Sequence, residues 1–270
     1  MSKFQTMRRI AREEGLQSLG TRSWIALGKW WRQGEPWQIN KSSYVRIDGC
    51  RIGLDNPIAL GFRDLLATGQ FEWPERKAIR KYLNPALPVV ELGGCIGVVA
   101  CVTNQLLNNP KQHVVVEANP DVAPILEANR DRNRAQFSVL RAAVGYDSDF
   151  VEFHVDDDNL LASSSELNGG RKVRVPAVRL RDILTNNGFK RFTLVCDIEG
   201  TEVEMVQNDS TVLASMAELI VMEVHAKLRG ENKINDMLSE LQRIGFEIAF
   251  QVKDTYVLKN RNIPQTAEMQ

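Results

Sequence analysis

Thirteen residues, Pro88-Val-Val-Glu91-Leu-Gly93-Gly94-Cys95-Ile-Gly97-Val-Val-Ala100, limit what this chain can fold into more than any other stretch. An apolar segment carries an acid, passes three glycines within five positions, and opens into residues compatible with a helix. That order reads as strand, tight turn and helix start, because glycine accepts positive φ and lets another backbone approach closely. A helix begun this way offers unpaired N–H groups to an anionic group. About twenty residues on, Val114-Val115-Val116 ends in Glu117, at the tip of a second strand where a carboxylate can accept from both hydroxyls of a ribose. Together the two features predict a nucleoside-bearing cofactor.

With 270 residues and 43% hydrophobic content, the chain can bury one large core. Its formal net charge of zero argues against general nucleic-acid binding. Cys50, Cys95, Cys101 and Cys196 form no C-x-x-C pair and no disulfide-like framework, which favours a reducing compartment. No leader-like segment opens the chain and the apolar runs fall short of a membrane span, so a soluble, cytoplasmic protein is expected. Residues 1–40 differ: Lys3, Arg8, Arg9, Arg12, Arg22, Lys29 and Arg32 outnumber Glu13, Glu14 and Glu35. Phe4, Met7, Ile10 and Ala11 share one helical face, and Trp24, Leu27 and Trp31 another. Such helices either pack on the main body or lie peripherally on the inner face of an anionic membrane.

Alternation around Asp48-Gly49 predicts a β-hairpin over 43–55. Residues 56–69 look helical, and a basic helix leads to Tyr82. From Pro88 strands and helices alternate, which implies a mostly parallel sheet with helices on both faces. Strands are expected near 88–92, 113–117, 136–141, 150–154, 172–177, 192–197, 219–224, 246–251 and 254–258. Helices are expected near 96–107, 121–133, 179–187, 201–208 and 231–244. So short a link joins the last two strands that they must be antiparallel. The expected fold is therefore α/β, a Rossmann-like methyltransferase sheet ending in an antiparallel hairpin, with a helical N-terminal extension. The domain expectation is 1–55 for extension and hairpin, 56–262 for the methyltransferase domain, and 263–270 for a frayed tail.

The glycines fall at 93, 94 and 97 rather than in G-x-G-x-x-G spacing. Pyrophosphate would be repelled by Glu91, whereas an ammonium or sulfonium would be held by it, which favours S-adenosylmethionine over NAD. A second group is Asp197-Ile-Glu199-Gly200-Thr201-Glu202-Val-Glu204, after the apolar run 192–196. Asp197 and Glu199 fall at the carboxyl edge of the sheet, where doubly wound folds bind ligands. Glu204 reads as a surface residue, and Glu202 is open. A third is Glu223 and His225 at the end of Leu219-Ile-Val-Met, where the histidine can exchange a proton near neutral pH. Ser163-Ser164-Ser165, after Asp156-Asp-Asp-Asn159, reads as a polar loop, either a plain surface connection or a lid.

Over about residues 70–225 these motifs resemble the FkbM family of S-adenosylmethionine-dependent methyltransferases. The resemblance rests on Glu72 and Glu75, the Glu91-to-Gly97 turn, Glu117-Ala-Asn119-Pro120, the Ser163–Ser165 loop, and above all Asp197-Ile-Glu-Gly-Thr-Glu202. It implies a class I methyltransferase acting on a hydroxyl of a sugar, glycan or secondary metabolite. Implied cofactor contacts are Glu72, Glu91, Gly93, Gly94, Gly97, Glu117, Asn119, Ala142, Ser164 and Asp197. The catalytic candidates are His225, Asp197 and Glu199, with His225 or Asp197 as base. Asp197 and Glu199 could instead hold substrate hydroxyls or a divalent metal, for which the sequence offers no support. The rival readings are an NAD-dependent oxidoreductase and a non-catalytic adaptor that meets a partner or membrane through residues 1–40.

Overall fold

The computed structural model describes residues 44–156, 159–164 and 171–263. The helical faces expected in 1–40, Ser165 and the tail from 264 lie outside these described residues.

In chain order come the strands β1 (Tyr44–Ile47) and β2 (Cys50–Gly53), then helices α1 (Pro57–Gly61), α2 (Arg63–Ala67) and α3 (Trp73–Tyr82). Next are β3 (Val89–Leu92), α4 (Val98–Leu106), β4 (His113–Glu117), α5 (Ala123–Arg132) and β5 (Ser138–Arg141). The short β6 (Ala143–Val144) precedes β7 (Phe150–Asp156), β8 (Asn159–Ser164) and β9 (Arg171–Val178). Then follow α6 (Leu180–Asn187), β10 (Phe192–Cys196), α7 (Glu202–Met216), β11 (Ala217–Glu223), α8 (Ala226–Arg229), α9 (Glu231–Arg243), β12 (Phe246–Val252) and β13 (Thr255–Asn260).

The valine-rich runs become central strands because both their faces must be covered. One seven-stranded sheet has the order β12-β13-β11-β10-β3-β4-β5. The five strands from β11 to β5 run parallel, and β13 is antiparallel to both β11 and β12, as the short final link requires. Val90, Leu92, Val114 and Val116 pack with Ile183, Leu184, Val206, Leu238 and Leu241 of α6, α7 and α9. On the opposite face, Val89 meets Ala78 and Ile79 of α3 and Val99 of α4, while Val115 meets Leu126 of α5. Strand order reverses between β3 and β10, which opens a crevice at their carboxyl ends.

The α/β sheet is as the sequence implies, with one addition. The strands β6 to β9 leave it and form a second, four-stranded sheet of order β6-β9-β7-β8. Its β8 includes Ser163 and Ser164, paired with Val155 and His154, so these serines stand in a strand and not in the expected polar loop. Backbone pairing with β7 makes this segment a strand. The segment 56–69 is two short helices divided at Phe62, and α7 runs on to Met216, eight residues beyond the expected end, past non-helical φ/ψ at Asp209. The expected 43–55 hairpin is present as β1–β2 and is fastened to the body. Gly53 N–H donates to Asn129 Oδ1 at 2.9 Å, and Asn133 exchanges two hydrogen bonds with the Arg51 backbone.

Candidate active site

A cavity of about 300 Å³ opens at the crevice between β3 and β10, walled by the loops that leave β3, β4 and β10 and by β6 and β7. The turn after β3 can form only with glycine where it does. Gly93 has φ 87°, and a Cβ there would lie 1.8 Å from the Asp197 carbonyl oxygen, so the two strand-tip loops touch backbone to backbone. Gly94 and Gly97 serve packing behind the turn, since a Cβ on either would meet Leu126 of α5.

Glu117 leaves the tip of β4 and folds back across this turn. Its carboxylate accepts from Cys95 N–H at 2.7 Å and from Asn119 N–H at 2.7 Å, which ties the first two loops together. Each oxygen keeps a second lone pair for a ligand. Burial lifts the Glu117 pKa to about 7, against the lowering effect of the N–H groups of Asn119, Cys95 and Ala118. Glu72 caps α3 from the other side with φ 49°, and its Oε2 has no partner among the described residues. Its pKa stands well above the usual range, first through burial and then through Glu75 and Glu91. Glu72, Cys95 and Glu199 all have left-handed φ and all line this cavity. Such backbone is costly away from glycine and gathers at functional sites.

At the β10–β11 end, His225 is the centre of a carboxylate group. Its Nε2 lies 3.4 Å from Asp197 Oδ1 and 3.5 Å from Glu199 Oε2, and its Nδ1 lies 3.1 Å from Glu202 Oε1. Glu202 is fully buried and also accepts from Ile198 N–H at 2.9 Å, so the loop and the histidine share one carboxylate. Burial alone would lower the His225 pKa, but Glu202, Asp197 and Glu199 hold the imidazolium and raise it to about 10. Asp197 is pushed well above the ordinary aspartate range by burial first, then by the charge of Glu223. The loops after β10 and β11 thus bring both expected bases, His225 and Asp197, within 3.4 Å of each other.

Of the residues expected to hold a cofactor, Glu72, Gly93, Glu117, Asn119, Ala142 and Asp197 line the cavity. Glu91 is brought elsewhere. Strand alternation turns it with Val89 toward the layer of α3 and α4, where it pairs with buried His113 Nε2 at 3.2 Å. The expectation that Glu91 faces a cationic cofactor is thereby corrected: within a strand, parity decides the face, and only the last residue reaches the edge. Gly94 and Gly97 do not line the cavity, and Ser164 stands in β8. Sequence reasoning missed the apolar wall of Phe71, Val144, Val151, Phe153 and Ile198. The period-two spacing of Val151 and Phe153 was the available signal. Glu202, left open, becomes the support of His225.

The amino-acid sequence from 91 to 248, more than half of the chain, matches the FkbM methyltransferase domain. The chain belongs to that family. An FkbM domain of this kind is an S-adenosylmethionine-dependent methyltransferase. The cavity fits such a donor: unpartnered Glu72 Oε2 and the spare lone pairs of Glu117 can receive ammonium and ribose hydroxyl protons. Comparison with curated proteins gives no match. Among solved structures, the FkbM chain is similar to a NADB-Rossmann superfamily protein from Streptococcus agalactiae, at 12% identity and TM-score 0.43 over 71% of this chain and 70% of that one. It is similar to precorrin-6y C5,15-methyltransferase from Geobacter metallireducens, at 12% identity and TM-score 0.42 over 69% and 84%. Aeropyrum pernix fibrillarin, solved with natively bound S-adenosyl-L-methionine, shows 12% identity and TM-score 0.41 over 70% and 74%. None of these likenesses bears on the acceptor. Among the described residues no helix is long and apolar enough to cross a membrane.

Proposed function

We propose that the protein methylates a hydroxyl oxygen of a sugar, glycan or secondary metabolite, with the acceptor held at the Asp197–Glu199–His225 edge. The observation that carries this reading is the convergence on one cavity of Glu72, from the turn before α3, with Glu117 and Asp197, from the ends of β4 and β10. When bound, S-adenosylmethionine supplies a methyl group on a sulfonium, whose C–S electron pair passes to sulfur as the new C–O bond forms. Glu117 and Asn119 hold the ribose end of the donor, and Glu72 its ammonium. Phe71, Val151 and Phe153 shield the cavity from water, which strengthens every charge interaction inside it. Asp197 takes the proton that leaves the acceptor oxygen, its Oδ1 being buried without a hydrogen bond. His225 holds Asp197 and Glu199 in place, and most of the rate comes from aligning the oxygen with the methyl group.

Two experiments test this. In thermal unfolding, S-adenosylhomocysteine at 100 times its Kd contributes about 2.7 kcal/mol and raises Tm by several degrees, whereas NAD leaves it unchanged. Incubation with methyl-labelled cofactor and a cell extract, followed by mass spectrometry, places the label on oxygen. Stabilisation by NAD alone, or label found only on nitrogen, refutes the reading.

A further inference from the structure

We infer that Asp197, Glu199 and His225 form a divalent-cation site that grips the acceptor oxygen, an inference resting on the reading of this edge as the acceptor site. One ligand atom from each residue lies within 4.8 Å of the others. The distances from His225 Nε2, 3.4 Å to Asp197 Oδ1 and 3.5 Å to Glu199 Oε2, are long for a hydrogen bond and divided between two acceptors. They lie within about 0.5 Å of ligand-to-ligand edges instead. With metal bonds of about 2.1 Å, neighbouring donors stand about 3.0 Å apart in an octahedron and about 3.4 Å apart in a tetrahedron.

Two further observations point the same way. Glu202, 0% exposed, reaches into the group, where its Oε1 lies 3.1 Å from His225 Nδ1 and its Oε2 has no partner among the described residues. Binding Nδ1–H to that carboxylate turns the Nε2 lone pair toward Asp197 and Glu199, which is how a metal-ligating histidine is normally held. Asp197 Oδ1 is buried without a hydrogen-bond partner, so an acceptor is aimed at the place where a cation would sit. Three carboxylates, of Asp197, Glu199 and Glu202, lie within 3.5 Å of a single imidazole, a local excess of negative charge that a dication offsets. Two carboxylates with one imidazole suit a hard to borderline ion such as Mn²⁺. Such an ion would leave coordination positions for the acceptor oxygen and lower the pKa of a hydroxyl bound there, its proton passing to the Asp197 oxygen that does not bind the ion.

The full chain, stripped with EDTA and passed into metal-free buffer, is titrated with MnCl₂ while free Mn²⁺ is followed by electron paramagnetic resonance. S-adenosylhomocysteine affinity is measured by calorimetry on the same samples. One Mn²⁺ site is expected, weakened at least tenfold in His225→Ala and in Glu199→Gln, whose side chain is half exposed and safe to alter. S-adenosylhomocysteine affinity should be the same with and without Mn²⁺. Absence of Mn²⁺ binding, or binding that both variants keep, with S-adenosylhomocysteine still bound, overturns the cation site alone. Failure to bind S-adenosylhomocysteine overturns the methyltransferase reading instead.

Discussion

Glu117 shows how one side chain can couple folding, cofactor and pH. Burial raises its pKa from 4.5 to about 7, so the folded protein prefers the neutral acid. Its contribution to stability is therefore full below the unfolded pKa and is lost as pH rises through the folded one. A ribose diol donates to the ionised form, so binding should move in the opposite direction. S-adenosylhomocysteine affinity is expected to rise about tenfold from pH 6 to pH 8 and then level off, while Glu117→Gln binds weakly with a flat profile. Calorimetry across that range decides it, and an identical slope in the glutamine variant counts against the assignment. His225 should behave differently. His225→Ala is expected to lower turnover by at least about 100-fold, with S-adenosylhomocysteine affinity within about twofold of the parent. Steady-state rates and calorimetry separate the two effects, and lost cofactor binding would remove His225 from the acceptor side.

At the scale of elements, the decisive contact is between two turns. The loop after β3 and the loop after β10 meet where Gly93 lies under the Asp197 carbonyl. Gly93→Ala must both adopt φ 87° and displace backbone, so a loss of at least about 2 kcal/mol is expected, with donor affinity falling in parallel. Chemical denaturation and calorimetry test this, and an alanine variant of parental stability would contradict the close approach. The turn itself was legible from its glycines. What those glycines touch was not, because Asp197 is more than a hundred residues away. One strand of the second sheet was hidden for a related reason: β8 lies between an acidic run and serines, and its pairing with β7 marks it as a strand. Propensity weighs less than backbone partners in such cases.

For the whole molecule, the question is what holds separate segments as one body. The β1–β2 hairpin is joined to the main sheet through Asn129, which is fully buried. Its Oδ1 accepts from Gly53 N–H at 2.9 Å and its Nδ2 donates to Ile96 carbonyl at 2.8 Å, linking hairpin, glycine turn and α5. Asn129→Ala leaves two buried backbone groups unmatched, so a loss of about 2–4 kcal/mol is expected in urea unfolding. A loss within 0.5 kcal/mol, about the size of an ordinary surface change, would show that the Asn129 hydrogen bonds do not hold the hairpin. The central α/β order, the closing antiparallel pair and the acids at the strand tips could all be read from the chain, because periodicity, glycine position and link length are local properties. Which acids share a cavity could not. Glu91 and Glu117 end similar valine runs, yet strand parity and the neighbouring His113 place one in the helical layer and the other on the turn. Glu202, open in the sequence, meets His225 only through packing. The sequence alone determined that Glu117, Asp197 and Glu199 stand at the ends of strands. The tertiary structure decided which of them meet, since contacts between residues far apart along the chain are set by packing of the whole.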